Sequence, residues 1–288
     1  MKIWYKYYIG TLLSILFLLT ELVGIHFDYS LQLILFGIGL IILGIPHGAG
    51  DMIIARETAN KKNIPFSNLN FLIGYLGSML VYGLIWYYNA ILGLGIFILI
   101  SIFHFGELED IQSQNLLDKL PIKLLVGSLV LGILILGHWE ESKKIIDEIG
   151  FLNLDLIPNN VINYFILGSS LCLMGLAFFN KNNLLTNTIL TLIIGLKLPL
   201  ILAFSLYFIA CHSLNSIQKV QYFTELNYKQ LFLKLFPFTL STFILFILYL
   251  FFYDGSKLLI TNIFIFISII TFPHFFIMHK MLAQIESR

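Results

Sequence analysis

Residues 63–106 read NIPFSNLNFLIGYLGSMLVYGLIWYYNAILGLGIFILISIFHFG, a stretch bounded by Lys62 and Glu107 that contains no Asp, Glu, Lys or Arg. About 20 apolar residues in helical form cross the hydrocarbon core of a bilayer, so this run holds two spans, one on each side of Asn89. Three further runs have the same character, from Lys123 to Glu140, from Lys234 to Asp254 and from Lys257 to Lys280. Of the 288 residues, 58% are hydrophobic and only 11% charged; an ordinary soluble domain carries about 25% charged residues. The fold class that follows is all-α, a polytopic transmembrane helical bundle.

Apolar windows between polar breaks place spans near residues 8–27, 31–47, 71–88, 90–105, 120–137, 164–179, 184–196, 198–214, 231–252 and 258–278, about ten in all. The division at Lys197 and Pro199 rests on a short first piece, and without it eight or nine spans remain. With ten, Lys2, Lys6, Arg56, Lys61, Lys62, Lys219, Lys229, Lys280 and Arg288 fall on one side. The positive-inside tendency makes that side the cytoplasm and places both termini there, as expected of a multi-pass protein of the cell (inner) membrane. The loop over 107–119 is then cytoplasmic and acid-rich, and the loop over 140–155 lies opposite. No repeat, low-complexity tract or composition shift divides the chain, so residues 1–288 read as one domain. A net charge of +1 offers no field for nucleic acid. Cys172 and Cys211 lie in apolar stretches and read as small core hydrophobes.

Four histidines organise the rest. His47 ends the second span in Pro46-His47-Gly48-Ala49-Gly50-Asp51, and His104 ends the fourth in His104-Phe105-Gly106-Glu107. His212 lies low in the eighth, and His274 follows Pro273 in the tenth. All four come from even-numbered spans and approach one membrane face at similar depth. A single buried imidazole is ordinarily explained by a hydrogen bond to a carbonyl. Four at one depth point to a metal, because neutral imidazole is a common ligand for iron, zinc, copper and nickel and brings no charge into lipid. Asp51, four residues after His47, and Glu107, three after His104, share those histidines' faces if the helices continue, and are candidates to orient a ligand ring. His26 and His138 would sit at the opposite interface in a snorkelling role. His279 is too far around its helix from His274 to share an ion.

The motifs Pro46-His47-Gly48-Ala49 with Asp51, His104-Phe105-Gly106, Tyr207 through His212-Ser213, and Pro273-His274 resemble, in order and spacing, the Brp/Blh family of β-carotene 15,15′-dioxygenases. The resemblance runs over nearly the whole chain. It implies an integral membrane enzyme that uses non-haem iron(II), Fe(2+), and O₂ to split β-carotene at its central double bond into two retinals, which typically serve a microbial rhodopsin. Carried over by position, the family's iron histidines match His47, His104 and His212. The family usually has another histidine one turn after the last of these, where this chain has Ser216. Either His274 completes the shell, or three ligands suffice, or the chain is a diverged member acting on another carotenoid or apolar polyene.

Three other readings remain distinguishable. A di-iron desaturase or hydroxylase needs paired histidine motifs such as His-x-x-x-His, and none is present. A non-catalytic protein with a histidine-ligated haem would declare itself by its visible spectrum. A transporter would place polar groups at the midplane on broken helices, whereas the histidines cluster toward one end; Lys197 is the residue that keeps that reading open.

Overall fold

The structure, a computed structural model, describes residues 8–108, 120–150, 158–251, 255 and 258–286. Lys2, Lys6, Phe252 and Arg288, and the parts of the two expected loops over 109–119 and 151–155, lie outside the described residues.

Regular structure among the described residues is helical throughout. The chain forms α1 (Ile9–Leu22), α2 (Tyr29–Lys61), α3 (Asn68–Tyr88), α4 (Ala90–Leu108), α5 (Leu120–Gly137), α6 (Trp139–Gly150), α7 (Asn159–Phe179), α8 (Asn183–Gly195), α9 (Leu200–Thr224), α10 (Tyr228–Phe251) and α11 (Leu259–Glu286). Eight of these, α2 to α5, α7 and α9 to α11, are long and apolar enough to cross a membrane. The other two apolar helices, α1 and α8, have 14 and 13 residues, and at about 1.5 Å per residue they fall short of a bilayer core. All ten apolar segments read from the sequence are therefore helices, and eight reach spanning length.

Several of the helices start where a side chain satisfies amides that helix geometry leaves open. Asp28 accepts from the amide of Leu31 at 2.7 Å, Asn89 from Leu92 at 3.0 Å, and Asn182 from both Leu184 and Leu185. Asn227 and Gln230 cap α10 reciprocally, each side chain accepting from the other's backbone N–H at 2.9 and 3.1 Å.

The segment over 140–155, expected as a loop, contains α6. Its charges mimic a loop, but Ser142 and Ile149 are buried on one side while Glu140 and Lys144 are exposed, the pattern of a helix lying in an interface. Two of its acids have defined structural work. Glu141 Oε2 accepts from the amide of Leu200, the first residue of α9, just after Pro199, which has no N–H to offer. Glu148 Oε2 accepts from the Leu258 amide at 3.1 Å and from the Thr261 hydroxyl at 2.6 Å, capping α11. Glu148→Ala should lower stability by about 1 kcal/mol, the usual worth of an N-cap side chain, measured by unfolding in mixed micelles; Glu148→Gln should recover part of the loss.

By internal contacts the chain divides into two compact units, Met1–Leu40 with Ser101–Asp147 and Phe151–Asn215, and Ile41–Ile100 with Glu148–Gly150 and Ser216–Arg288. In the first, α1 packs on α8 and on the His212 segment of α9, α5 packs on α7, and the core gathers Phe105, Val126, Val130, Leu173, Leu185 and Tyr207. A polar seam joins α1 to this core. Asn187 Oδ1 accepts from both the amide and the hydroxyl of Thr11, at 3.0 and 2.9 Å, and the Asn187 amide group donates to Cys211 Sγ at 3.2 Å. In the second unit, α11 packs on the Asp51–Lys61 part of α2 and on α3, and α10 packs on the turn that carries His47.

Candidate metal centre

In the second unit, His47 follows Pro46, whose missing N–H weakens the ladder to the preceding turn, and the helix widens to π geometry over Leu40–Gly44 just before it. Single π turns inside α-helices recur at functional sites because they re-aim the next side chain. The helix then continues through Gly48 and resumes after Gly50, so Asp51 is helical. His47 is 7% exposed, and its Nδ1–H donates to the carbonyl of Gly44, which leaves Nε2 as the ring atom with a lone pair to give.

His274, at 4% exposed, stands beside it with ring centroids 4.9 Å apart and planes at 86°. Its Nδ1–H donates to Asp51 Oδ1 at 2.7 Å, the arrangement that directs the opposite nitrogen toward a ligand role. Asp51 therefore orients His274 on α11 rather than His47 on its own helix. The other carboxylate oxygen accepts from the hydroxyl of Tyr75 on α3 at 2.8 Å.

In the first unit, His104 near the end of α4 and His212 in α9 are each 2% exposed, with ring centroids 5.0 Å apart at 73°. His212 lies in a π segment, Leu206–Ser213, the second such distortion next to a singled-out histidine. Phe204, Phe208 and His212, four residues apart, form a column: the two phenylalanines stack at 5.4 Å and Phe208 stacks on the imidazole at 5.5 Å. Phe105 meets the imidazole edge-on at 4.8 Å. This collar of apolar rings holds the imidazole in place and keeps water from it. Glu107 is buried one turn beyond His104.

His104 owes its position to two glycines. A Cβ on Gly106 would lie 1.8 Å from the carbonyl oxygen of Lys123, and one on Gly127 would lie 1.8 Å from that of Ile102. Helices α4 and α5 thus touch backbone to backbone, the approach that small residues permit between helices in lipid.

A family profile described as Beta-carotene 15,15'-dioxygenase matches residues 38–282, a segment that includes all four histidines, Asp51 and Tyr75 and leaves out α1. The chain belongs to this family. No curated protein and no solved structure matches it. The dioxygenase family sets the functional class and its chemistry suggests a metal cofactor; the buried imidazoles that could serve one are His47 and His274 in the second unit and His104 and His212 in the first.

The other histidines of this dioxygenase-family chain are accounted for differently. His138, expected at an interface, is buried; its Nε2 lies 3.1 Å from the carbonyls of both Gly195 and Leu198, and Nδ1 lies 3.0 Å from that of Leu134. It pins the break between α8 and α9 by bridging two of its carbonyls, of which that of Gly195 also accepts from the Leu198 amide at 2.8 Å. His26 is exposed and pairs with Glu21 at 3.0 Å. His279 stacks on Phe275. Neither cysteine forms a disulfide; Cys211 serves the Asn187 seam and Cys172 is exposed. Ser216 is fully buried, and its hydroxyl has no hydrogen-bond partner among the described residues.

Proposed function

We propose that this chain is an iron-dependent dioxygenase that cleaves β-carotene at its central 15,15′ double bond into two retinals, with His47, His104 and His212 as iron(II) ligands and His274 as the fourth. The single observation that carries the reading is family membership over residues 38–282, a segment that contains every one of these histidines. The donor chemistry supports the metal: each of the four imidazoles is buried, and Nδ1–H is committed to a carbonyl in His47 and to a carboxylate in His274. Imidazole alone suits zinc, copper and nickel as well as iron, but a metal that is itself to activate O₂ must change oxidation state, which zinc does not.

The overall reaction balances without another co-reactant, since β-carotene and O₂ give two retinals, each carbonyl taking one oxygen atom. Iron(II), when bound, supplies the means of activating O₂. The chain supplies the rest. The histidines fix the ion, Asp51 orients His274, and the rings of Phe105 and Phe208 give His212 an apolar surround. No proton need be delivered, in keeping with the scarcity of charge. Substrate and product are lipid-soluble, so a protein of the cell membrane, with both termini in the cytoplasm, meets them where they dissolve; a microbial rhodopsin would consume the retinal. One ion shared by these histidines would also make the chain a single functional domain.

Expression in β-carotene-producing bacteria tests the proposal. Bleached cells with retinal as the chromatographic product are the expected result. Aldehydes of unequal length would move the cleavage to another bond. Intact β-carotene beside iron-loaded protein would remove it as the substrate, and Ser216→His would then ask whether the family's additional histidine restores turnover.

A further inference from the structure

Tyr75 belongs to none of the motifs, yet it completes the hydrogen-bond chain behind His274. Asp51 is 3% exposed, and each of its carboxylate oxygens has one donor: the Tyr75 hydroxyl on Oδ2 at 2.8 Å and His274 Nδ1–H on Oδ1 at 2.7 Å. The two donors come from α3 and α11, and α11 packs on both α3 and the part of α2 that carries Asp51. A carboxylate held from opposite sides cannot turn about its Cβ–Cγ bond without breaking both bonds. With one donor removed, it turns more freely, and a buried oxygen is left to seek another partner at the expense of the imidazole.

We infer that Tyr75 is a positioning residue: it locks the Asp51 carboxylate and, through it, fixes the ring orientation and the Nδ1–H tautomer of His274. Tyr75 touches neither substrate nor metal in this scheme, and its action ends at the imidazole. The part of the inference that concerns ligation rests on the proposed function, whereas the tautomer does not require a metal. Partners of this kind typically alter metal affinity by about 10- to 100-fold. Tyr75 acts one bond further out, so the lower figure applies.

The test uses the full-length protein in lipid, labelled with ¹⁵N-histidine and observed by solid-state NMR, with the His274 resonances identified by their absence in His274→Asn. Metal-free wild type should show His274 in the Nδ1–H form alone, and Tyr75→Phe should show a mixture of tautomers. Anaerobic titration with iron(II) should show about 10-fold weaker binding in Tyr75→Phe. Tyr249→Phe, which removes a hydroxyl bonded to Asn262 at 3.3 Å in the same unit, should change neither. In an Asp51→Asn background, Tyr75→Phe should have no further effect on iron(II) binding, because its route to the imidazole is gone. An unchanged tautomer with unchanged iron(II) affinity would overturn the inference, as would an equal loss of affinity with and without Asp51. If wild type binds no iron(II) but Tyr75→Phe still mixes the tautomers, the positioning role stands and the iron reading falls.

Discussion

His104→Ala should yield a folded, membrane-inserted protein that retains no iron and makes no retinal, while His138→Ala should keep its iron and become less stable. Both imidazoles are buried, at 2% and 8% exposure, so burial alone does not separate them. Their surroundings do. His138 faces three backbone carbonyls at 3.0 to 3.1 Å, two of them in the break between α8 and α9. Its removal takes away the ring donor that the Gly195 and Leu198 carbonyls share in an apolar setting, at a cost of about 1–3 kcal/mol. His104 instead stands ring to ring with His212 at 5.0 Å, in the group proposed to hold the ion. Loss of an outer partner of a ligand costs about 10- to 100-fold in metal affinity or activity, and loss of a ligand should exceed that range. Iron per chain by plasma emission spectroscopy, retinal by chromatography and the unfolding midpoint together distinguish the two residues. Iron and retinal retained in His104→Ala would remove it from the ligand set. Iron absent from a His138→Ala protein as stable as wild type would assign the metal to the wrong histidine.

What the sequence showed of this fold and site, and what it hid, follows from where each signal lies. Bilayer spans are legible because charge is excluded over whole windows, so every apolar segment emerged as a helix. The amphipathic α6 was hidden because interfacial helices carry loop-like charge, and only the spacing of Ser142 and Ile149 marked its buried side. The histidines stood out because an imidazole in a span is uncommon and costly. Their supports did not. The partner of His47 is a backbone carbonyl, Gly44, which any residue would provide. Asp51 was noticed beside the wrong histidine, because spacing along α2 points to His47 and nothing local reveals a partner 223 residues away on α11. Tyr75 is one of 14 tyrosines, and its role depends on that same long-range approach. The column of Phe204, Phe208 and His212 did have a local signal, an aromatic every fourth residue, within a chain of 27 phenylalanines where such spacing is common.

Gly106→Ala should be the most damaging substitution outside the histidines, although it adds only a methyl group to a helix in which alanine is intrinsically favoured by about 1 kcal/mol. The new Cβ would stand 1.8 Å from the Lys123 carbonyl oxygen. Ordinary carbon–oxygen contact begins at about 3.3 Å. A flexible side chain could step aside, as the Ile209 Cδ1 opposite Gly39 can, but here the obstacle is backbone. Relief therefore requires α4 and α5 to part by more than about 1 Å, which also separates Gly127 from the Ile102 carbonyl and opens packing around Phe105 and Val126. Overpacking costs about 1–3 kcal/mol when side chains can adjust, and this contact belongs at or above the upper end of that range. His104 sits two residues away on the same helix, so whatever protein remains folded would present its imidazole displaced, and a 1 Å error in such a group costs about 100-fold in rate. Gly95→Ala is the matched control on α4: its Cβ would meet nothing within 4 Å, and stability and retinal formation should stay at or slightly above the wild-type level. If Gly106→Ala unfolds at the same midpoint as Gly95→Ala and makes as much retinal, the backbone contact between α4 and α5 does not set the position of His104.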